Sequence, residues 1–112
     1  MVNKEAYRKL KNRLNDEIRA ENIMRIVSRM SSIDIKERTR LRRVTELRQI
    51  TFYLLHRKTR MSYQKIGNFF GLTHATVLHG VKLVKVLIET DRNFNQKYGL
   101  IINTINHIYC DK

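Results

Sequence analysis

Proline and tryptophan are absent from this 112-residue chain, and it carries only four glycines and one cysteine. So few turn-forming residues leave little to punctuate the many tight turns of an all-β fold, while Leu, Ile, Lys, Arg and Glu dominate, so the composition reads as helical. A lone thiol, Cys110, permits no intrachain disulfide, and no metal-ligand cluster is visible, so neither a metal nor a cofactor is expected. No apolar run approaches the roughly 20 residues that span a bilayer, and the N-terminal stretch has no apolar signal-peptide core, so a cytoplasmic protein with no membrane partner is expected. Acidic residues are also scarce: ten Asp and Glu face 23 Lys and Arg, a formal net charge of +13. Such self-repulsion is best tolerated beside a polyanion, and nucleic acid is the leading partner. An anionic membrane surface, or a basic chain with no such role, stays open on charge alone.

A chain of this length has room for one hydrophobic core, so one domain with an appendage is expected. From Lys4 to about Met30 the apolar residues Tyr7, Leu10, Leu14, Ile18, Ile23, Ile26, Val27 and Met30 recur at helical spacing. This predicts one long basic helix, or two with a break near Asn22, forming an N-terminal helix or tether over residues 1–30. The segment SSIDIK breaks the pattern as a connector, because Ser and Asp favour caps and turns over helix interiors. A basic stretch with Lys36, Arg38, Arg40, Arg42 and Arg43 then leads into a second helix with Val44, Leu47, Ile50, Thr51, Leu54 and Leu55 on its inner face, running to about Arg57.

Ser62 is a good N-cap for a third helix, YQKIGNFF, which Gly71 ends. Thr73 can cap a fourth, with an apolar stripe of Val77, Val81, Val84 and Ile88, and Asp91 a fifth that runs to Ile108. The expected fold class is therefore all-α, a bundle of about four to six helices. Two helices joined by a short glycine-containing turn form a helix-turn-helix, and SYQKIGNFFGLTHATVLHGVKLVK has that form. In such units the first residues of the second helix meet base edges in the major groove, here Thr73, His74, Ala75 and Thr76. Thr hydroxyls reach bases or phosphates, the Ala methyl packs on a thymine methyl, and His donates to a purine acceptor. Plainer readings stand beside these: Thr73 as a cap only, His74 as a surface histidine, and His79, one turn further on, as half-buried.

The stretch IGNFFGLTHATVLHGVKLVK resembles the signature of the C-terminal duplex-DNA-binding domain of the bacterial replication initiator DnaA. The family pattern is met by Ile66, Gly67, Phe70, Gly71, His74, Thr76, Val77 and His79, and upstream Arg48 and Gln49 fall at its Arg-Gln pair. The resemblance covers roughly residues 22–108. It implies that Thr73, His74 and Ala75 stand at base-reading positions and that Arg40 enters the minor groove. It also implies that Arg42, Arg48, Gln49 and Thr76 contact phosphates. Arg38, Arg43, Ser62, Gln64, Lys65, His79 and Lys82 complete the phosphate-contacting or supporting set, and residues 31–112 form the DNA-binding domain.

Four departures bear on specificity: the turn after Gly71 is one residue shorter than the family's, its Arg is missing, Thr73 replaces an Asp, and Ala75 replaces a Thr. Losing an acceptor suited to cytosine N4 predicts a different preferred site. No GxxxxGK[ST] phosphate loop occurs and no catalytic pairing is visible, so no nucleotide partner and no enzymatic activity are expected. The expected role is a sequence-preferring regulator or accessory factor on double-stranded DNA, in the nucleoid of a bacterial or phage-infected cell. Two rivals from other classes are a nonspecific nucleic-acid packaging protein and a module whose basic face meets an acidic protein. The stripe of Tyr7, Leu10, Leu14 and Ile18 lacks an assigned cover, so a homodimer, a larger protein partner and folding back onto its own domain all stay open.

Overall fold

The computed structural model describes residues 3–110. Five helices follow in order: α1 (Lys4–Ser31), α2 (Arg42–Lys58), α3 (Tyr63–Phe70), α4 (His74–Thr90) and α5 (Arg92–Ile108). The fold is all-α, with the long N-terminal helix that the sequence periodicity predicts. α1 runs through Asn22 without a break.

Helix limits follow from local side-chain chemistry. The first amides of a helix lack intrahelical acceptors, and a Ser, Thr, Asp or Asn oxygen supplies one. Ser62 accepts from the Lys65 N–H at 3.1 Å, Thr73 from the Thr76 N–H at 3.3 Å, and Asp91 from the Phe94 N–H at 3.0 Å. Asn3 does the same for α1, accepting from the Glu5 N–H at 2.9 Å. Gly71 ends α3 in the left-handed region at φ 66°, where the absence of a Cβ removes the steric cost.

α2 crosses the centre of the bundle and packs against the other four helices. Its Leu47, Ile50, Phe52, Leu54 and Leu55 are essentially inaccessible to solvent. Around them lie Ala20, Ile23, Met24 and Val27 of α1, Ile66 of α3, Val77, Val81 and Val84 of α4, and Phe94, Tyr98, Ile101, Ile102 and Ile105 of α5. Ile88 of α4 is only half-buried and Ile108, at the end of α5, is exposed. Polar contacts join the helices as well. The Tyr98 hydroxyl donates to Glu46 at 2.8 Å, tying α5 to α2, and the Asn95 amide donates to the Ile88 carbonyl at 2.8 Å, closing the α4–α5 corner.

α1 divides into two halves. Its C-terminal half carries the core residues, while Tyr7, Leu10, Leu14 and Ile18 are 46–60% exposed. At 3.6 residues per turn, this stripe lies about 135° around the helix from Ala20, Ile23, Met24 and Val27. Because α1 is continuous, burying one face turns the other outward. Among the contacts that hold its middle in place are Asp16 with Arg60 at 3.1 Å, Glu17 with Lys65 at 3.1 Å, and the Arg19 guanidinium with the Lys58 carbonyl at 2.9 Å.

Candidate nucleic-acid interface

α3 and α4 meet at 104° across the turn Gly71–Thr73. The corner is this tight because of Gly67. Its carbonyl accepts from the Leu72 N–H at 2.9 Å and from the Gly71 N–H, and a Cβ on residue 67 would stand 2.5 Å from the Leu72 carbonyl oxygen. Phe70 packs edge-on against Phe52, with ring centroids 5.0 Å apart, and locks the turn onto α2. The start of α4 is thereby held out from the body, and Thr73, His74, Ala75 and Thr76 are all exposed.

The exposed surface of α4 sorts by angle around its axis. With Val77, Val81 and Val84 facing the core, Ala75, His79 and Lys82 point most directly outward, His74, Leu78 and Lys85 lie on one side of the helix, and Thr73 and Thr76 lie on the other. The two threonine hydroxyls are 3.0 Å apart. One turn beyond them Gly80 allows Gln49 to approach, since a Cβ there would meet the Gln49 Cγ at 3.2 Å. Gln49 is thus half-buried beside the threonines rather than projecting freely.

The basic loop between α1 and α2 stands on that same flank. Residues Lys36 to Arg40 and Arg48 enclose, with Phe70, Gly71 and Leu72, an open groove of about 400 Å³ beside the helix-turn-helix corner. Arg48 builds this loop from beneath: its Nε donates to the Ile35 carbonyl at 3.0 Å and a terminal nitrogen to the Glu37 carbonyl at 2.6 Å. Ile35 is buried and pins the base of the loop to the core. Arg38 and Arg40 are left exposed at its crest, and Arg42 and Arg43 are exposed in the first turn of α2.

Lys65 is turned to Glu17 of α1, and Ser62 acts as a cap through its hydroxyl, while Gln64 is exposed at the start of α3. The opposite flank of α4 carries a second basic groove, of about 460 Å³, that sequence reasoning missed. It joins His56 and Arg57 of α2 and Tyr63 of α3 to Lys82 and Lys85 of α4. Only Lys82 was among the expected residues. The spacing of Lys82 and Lys85 on one helix face was a usable signal, whereas the arrival of α2 beside them was not readable from local pattern. Among the described residues, no group of three or more His, Cys, Asp or Glu side chains could hold a metal ion.

A family model described as the bacterial dnaA protein helix-turn-helix matches residues 20–84, which include α2, α3, the turn and the first part of α4. The chain belongs to that family. Its relatives carry the name chromosomal replication initiator protein DnaA. The protein from Campylobacter curvus is 33% identical over 106 residues, covering 91% of this chain and 24% of the relative. That from Brucella abortus is 37% identical over 93 residues, covering 80% of this chain and 19% of the relative. That from Bacteroides thetaiotaomicron is 38% identical over 78 residues, covering 66% of this chain and 17% of the relative. The chain therefore spans about a quarter or less of the DnaA proteins it matches. No solved structure matches it. The DnaA-type match includes Ala20, Ile23, Met24 and Val27, the residues by which α1 enters the core.

Proposed function

We propose that this chain is a sequence-preferring double-stranded DNA-binding protein that acts as a regulator or accessory factor in replication or transcription and does no ATPase chemistry itself. The observation that carries this reading is the outward projection of the α4 N-terminus beside an arginine-bearing loop held in place by Arg48. In this reading Thr73, His74 and Ala75 meet base edges, and Arg40 enters the adjacent minor groove, where a narrow, strongly negative channel favours a guanidinium. Arg38, Arg42, Arg43, Gln49, Thr76, His79 and Lys82 hold or border the phosphate strands. Arg48 and Lys65 act mainly through the loop and α1 that they bind. Such a protein works in the nucleoid of a bacterial or phage-infected cell.

Selection of bound duplexes from a random pool, followed by competition with excess random duplex, tests the reading. A sequence-preferring reader retains its selected site, because specific complexes exceed nonspecific ones by roughly 10³-fold or more. A nonspecific packaging protein, the second reading that the +13 charge favours, yields no selected site and is displaced in proportion to competitor.

We further propose a division of labour along the chain: within residues 1–30 the exposed N-terminal half of α1 tethers or associates, and residues 31–112, packed against its C-terminal half, read DNA. The outward stripe of Tyr7, Leu10, Leu14 and Ile18 supports association with a second copy or a larger protein, since contiguous exposed apolar surface commonly marks a contact face.

A further inference from the structure

The groove formed where α2, α3 and α4 meet lies, Lys82 apart, outside the residues that the helix-turn-helix motif assigns to the interface. Its lining contains three cations, Arg57, Lys82 and Lys85, and no acidic residue. None of the three has a carboxylate partner among the described residues, unlike Arg60, Lys65 and Lys97, which are paired with Asp16, Glu17 and Glu46. Arg57 lies 5.7 Å from the centre of the Tyr53 ring, a cation–π contact that holds the guanidinium without neutralising it. His56 stacks flat on Tyr63, with ring centroids 4.5 Å apart and planes 16° from parallel, so the imidazole is held by its face at the rim.

We propose that this groove is a second phosphodiester site, where Arg57, Lys82 and Lys85 grip the backbone of the DNA strand on the far side of the reading helix and His56 serves as a titrating fourth contact. The inference rests on the duplex-binding reading above and extends it to residues outside the family-derived set. Distance supports it. From His74 to Lys82 is eight residues, about 12 Å along a helix at 1.5 Å per residue, more than the roughly 8.5 Å depth of the major groove. A helix reading bases at its tip therefore places Lys82 and Lys85 near the rim of that groove. The basic loop stands on the other flank, so the two cationic surfaces bracket α4 as the two phosphate strands bracket a major groove.

The electrostatics of His56 give the site a proton dependence. Burial, and then the neighbouring Arg57, hold its imidazole below the usual value of 6.5. The groups lining the groove around it are Tyr53 and Arg57 of α2, Tyr63 of α3, and Lys82 and Lys85 of α4, all neutral or cationic. Nothing there favours the imidazolium until an anion arrives. A phosphate seated in the groove reverses that balance, so complex formation takes up a proton and affinity rises as pH falls.

Fluorescence anisotropy with the full chain and a labelled random-sequence duplex tests both parts. Arg57→Gln with Lys85→Gln is expected to flatten the dependence of log K on log salt by about 1.8, at roughly 0.9 for each phosphate no longer neutralised. The charge-keeping pair Arg57→Lys with Lys85→Arg restores most of that slope. The wild-type chain is expected to tighten by about three- to tenfold in all from about pH 8 to about pH 5.5, within the limit of tenfold per pH unit for one linked proton. His56→Gln loses most of this gain and His74→Gln retains it. Tight duplex binding with an unchanged salt slope in the double variant would overturn the groove while leaving the functional reading intact. A pH response undiminished in His56→Gln overturns the titrating contact. A wild-type chain that binds no duplex at any salt overturns the groove and the functional reading together.

Discussion

Gly67→Ala places a methyl 2.5 Å from the Leu72 carbonyl oxygen, whereas real Cβ atoms essentially never come within 3.0 Å of such a neighbour. The obstacle is backbone rather than a yielding side chain, so the turn must move by at least the difference, about 0.5 Å. Moving it strains the 2.9 Å bond from the Leu72 N–H to the Gly67 carbonyl, the Phe70–Phe52 contact and the Thr73 cap together. Overpacking of this kind costs roughly 1–3 kcal/mol. Against that, alanine in a helix interior is favoured over glycine by about 0.8–1.0 kcal/mol. The net expectation is a loss of about 0–2 kcal/mol, together with weakened duplex binding, because the displaced turn carries the base-reading end of α4. Gly99→Ala is the matched control: it lies within α5, and a Cβ there meets nothing within 4 Å. Only helix propensity operates at that position, and a gain of about 0.5–1 kcal/mol is expected. Urea unfolding followed by helical circular dichroism measures both. Equal changes of the same sign would refute the argument that the Leu72 carbonyl, rather than helix propensity, decides which residue stands at position 67.

His74→Ala is expected to weaken binding to a selected site by about 1–3 kcal/mol while leaving random duplex almost unaffected, as competition anisotropy reads, because base contacts carry sequence information and phosphate contacts do not. Arg48→Ala frees the basic loop from its two carbonyl anchors, so amide exchange should accelerate at residues 36–40 and duplex affinity fall without a change in α3 or α4. Tyr98→Phe removes the donor to Glu46 and is expected to cost about 0.5–1.5 kcal/mol in denaturant unfolding. Burial, followed by the bond to Glu46, raises the Tyr98 hydroxyl above its usual value of 10.0, so its contribution is complete below that pH and is lost as pH rises through the higher folded value. The phenylalanine variant should accordingly show less alkaline destabilisation than the wild type. Leu10→Glu with Leu14→Glu should leave the melting temperature nearly unchanged, since both side chains are about half exposed, and should lower the solution mass if the stripe joins two copies. A monomer before and after the change would remove self-association through this stripe.

Much of this architecture is local, and for that reason it was legible in the amino-acid sequence. Ser62, Thr73 and Asp91 each satisfy an amide three residues ahead, and Gly71 supplies a left-handed residue at its own position, so the limits of α3, α4 and α5 depend on neighbours a few residues away. The apolar spacing of α2 likewise selected the residues that became buried, and the charge excess pointed to a polyanion before any fold was known. Contacts between distant segments are another matter, because no local spacing encodes which surface arrives opposite which. The sequence marked Arg48 as a phosphate-contacting arginine, yet only the packed chain turns it beneath the loop, 13 residues away at Ile35. Lys65 was read as a phosphate-contacting or supporting residue, and only the packed chain brings Glu17 across 48 residues to meet it. The stripe on α1 was visible as a pattern, but its direction was decided when the other half of the same helix entered the core. His56 and Arg57 carried no local sign of function, and it is the arrival of α2 beside α4 that places them with Lys82 and Lys85 in one cationic groove.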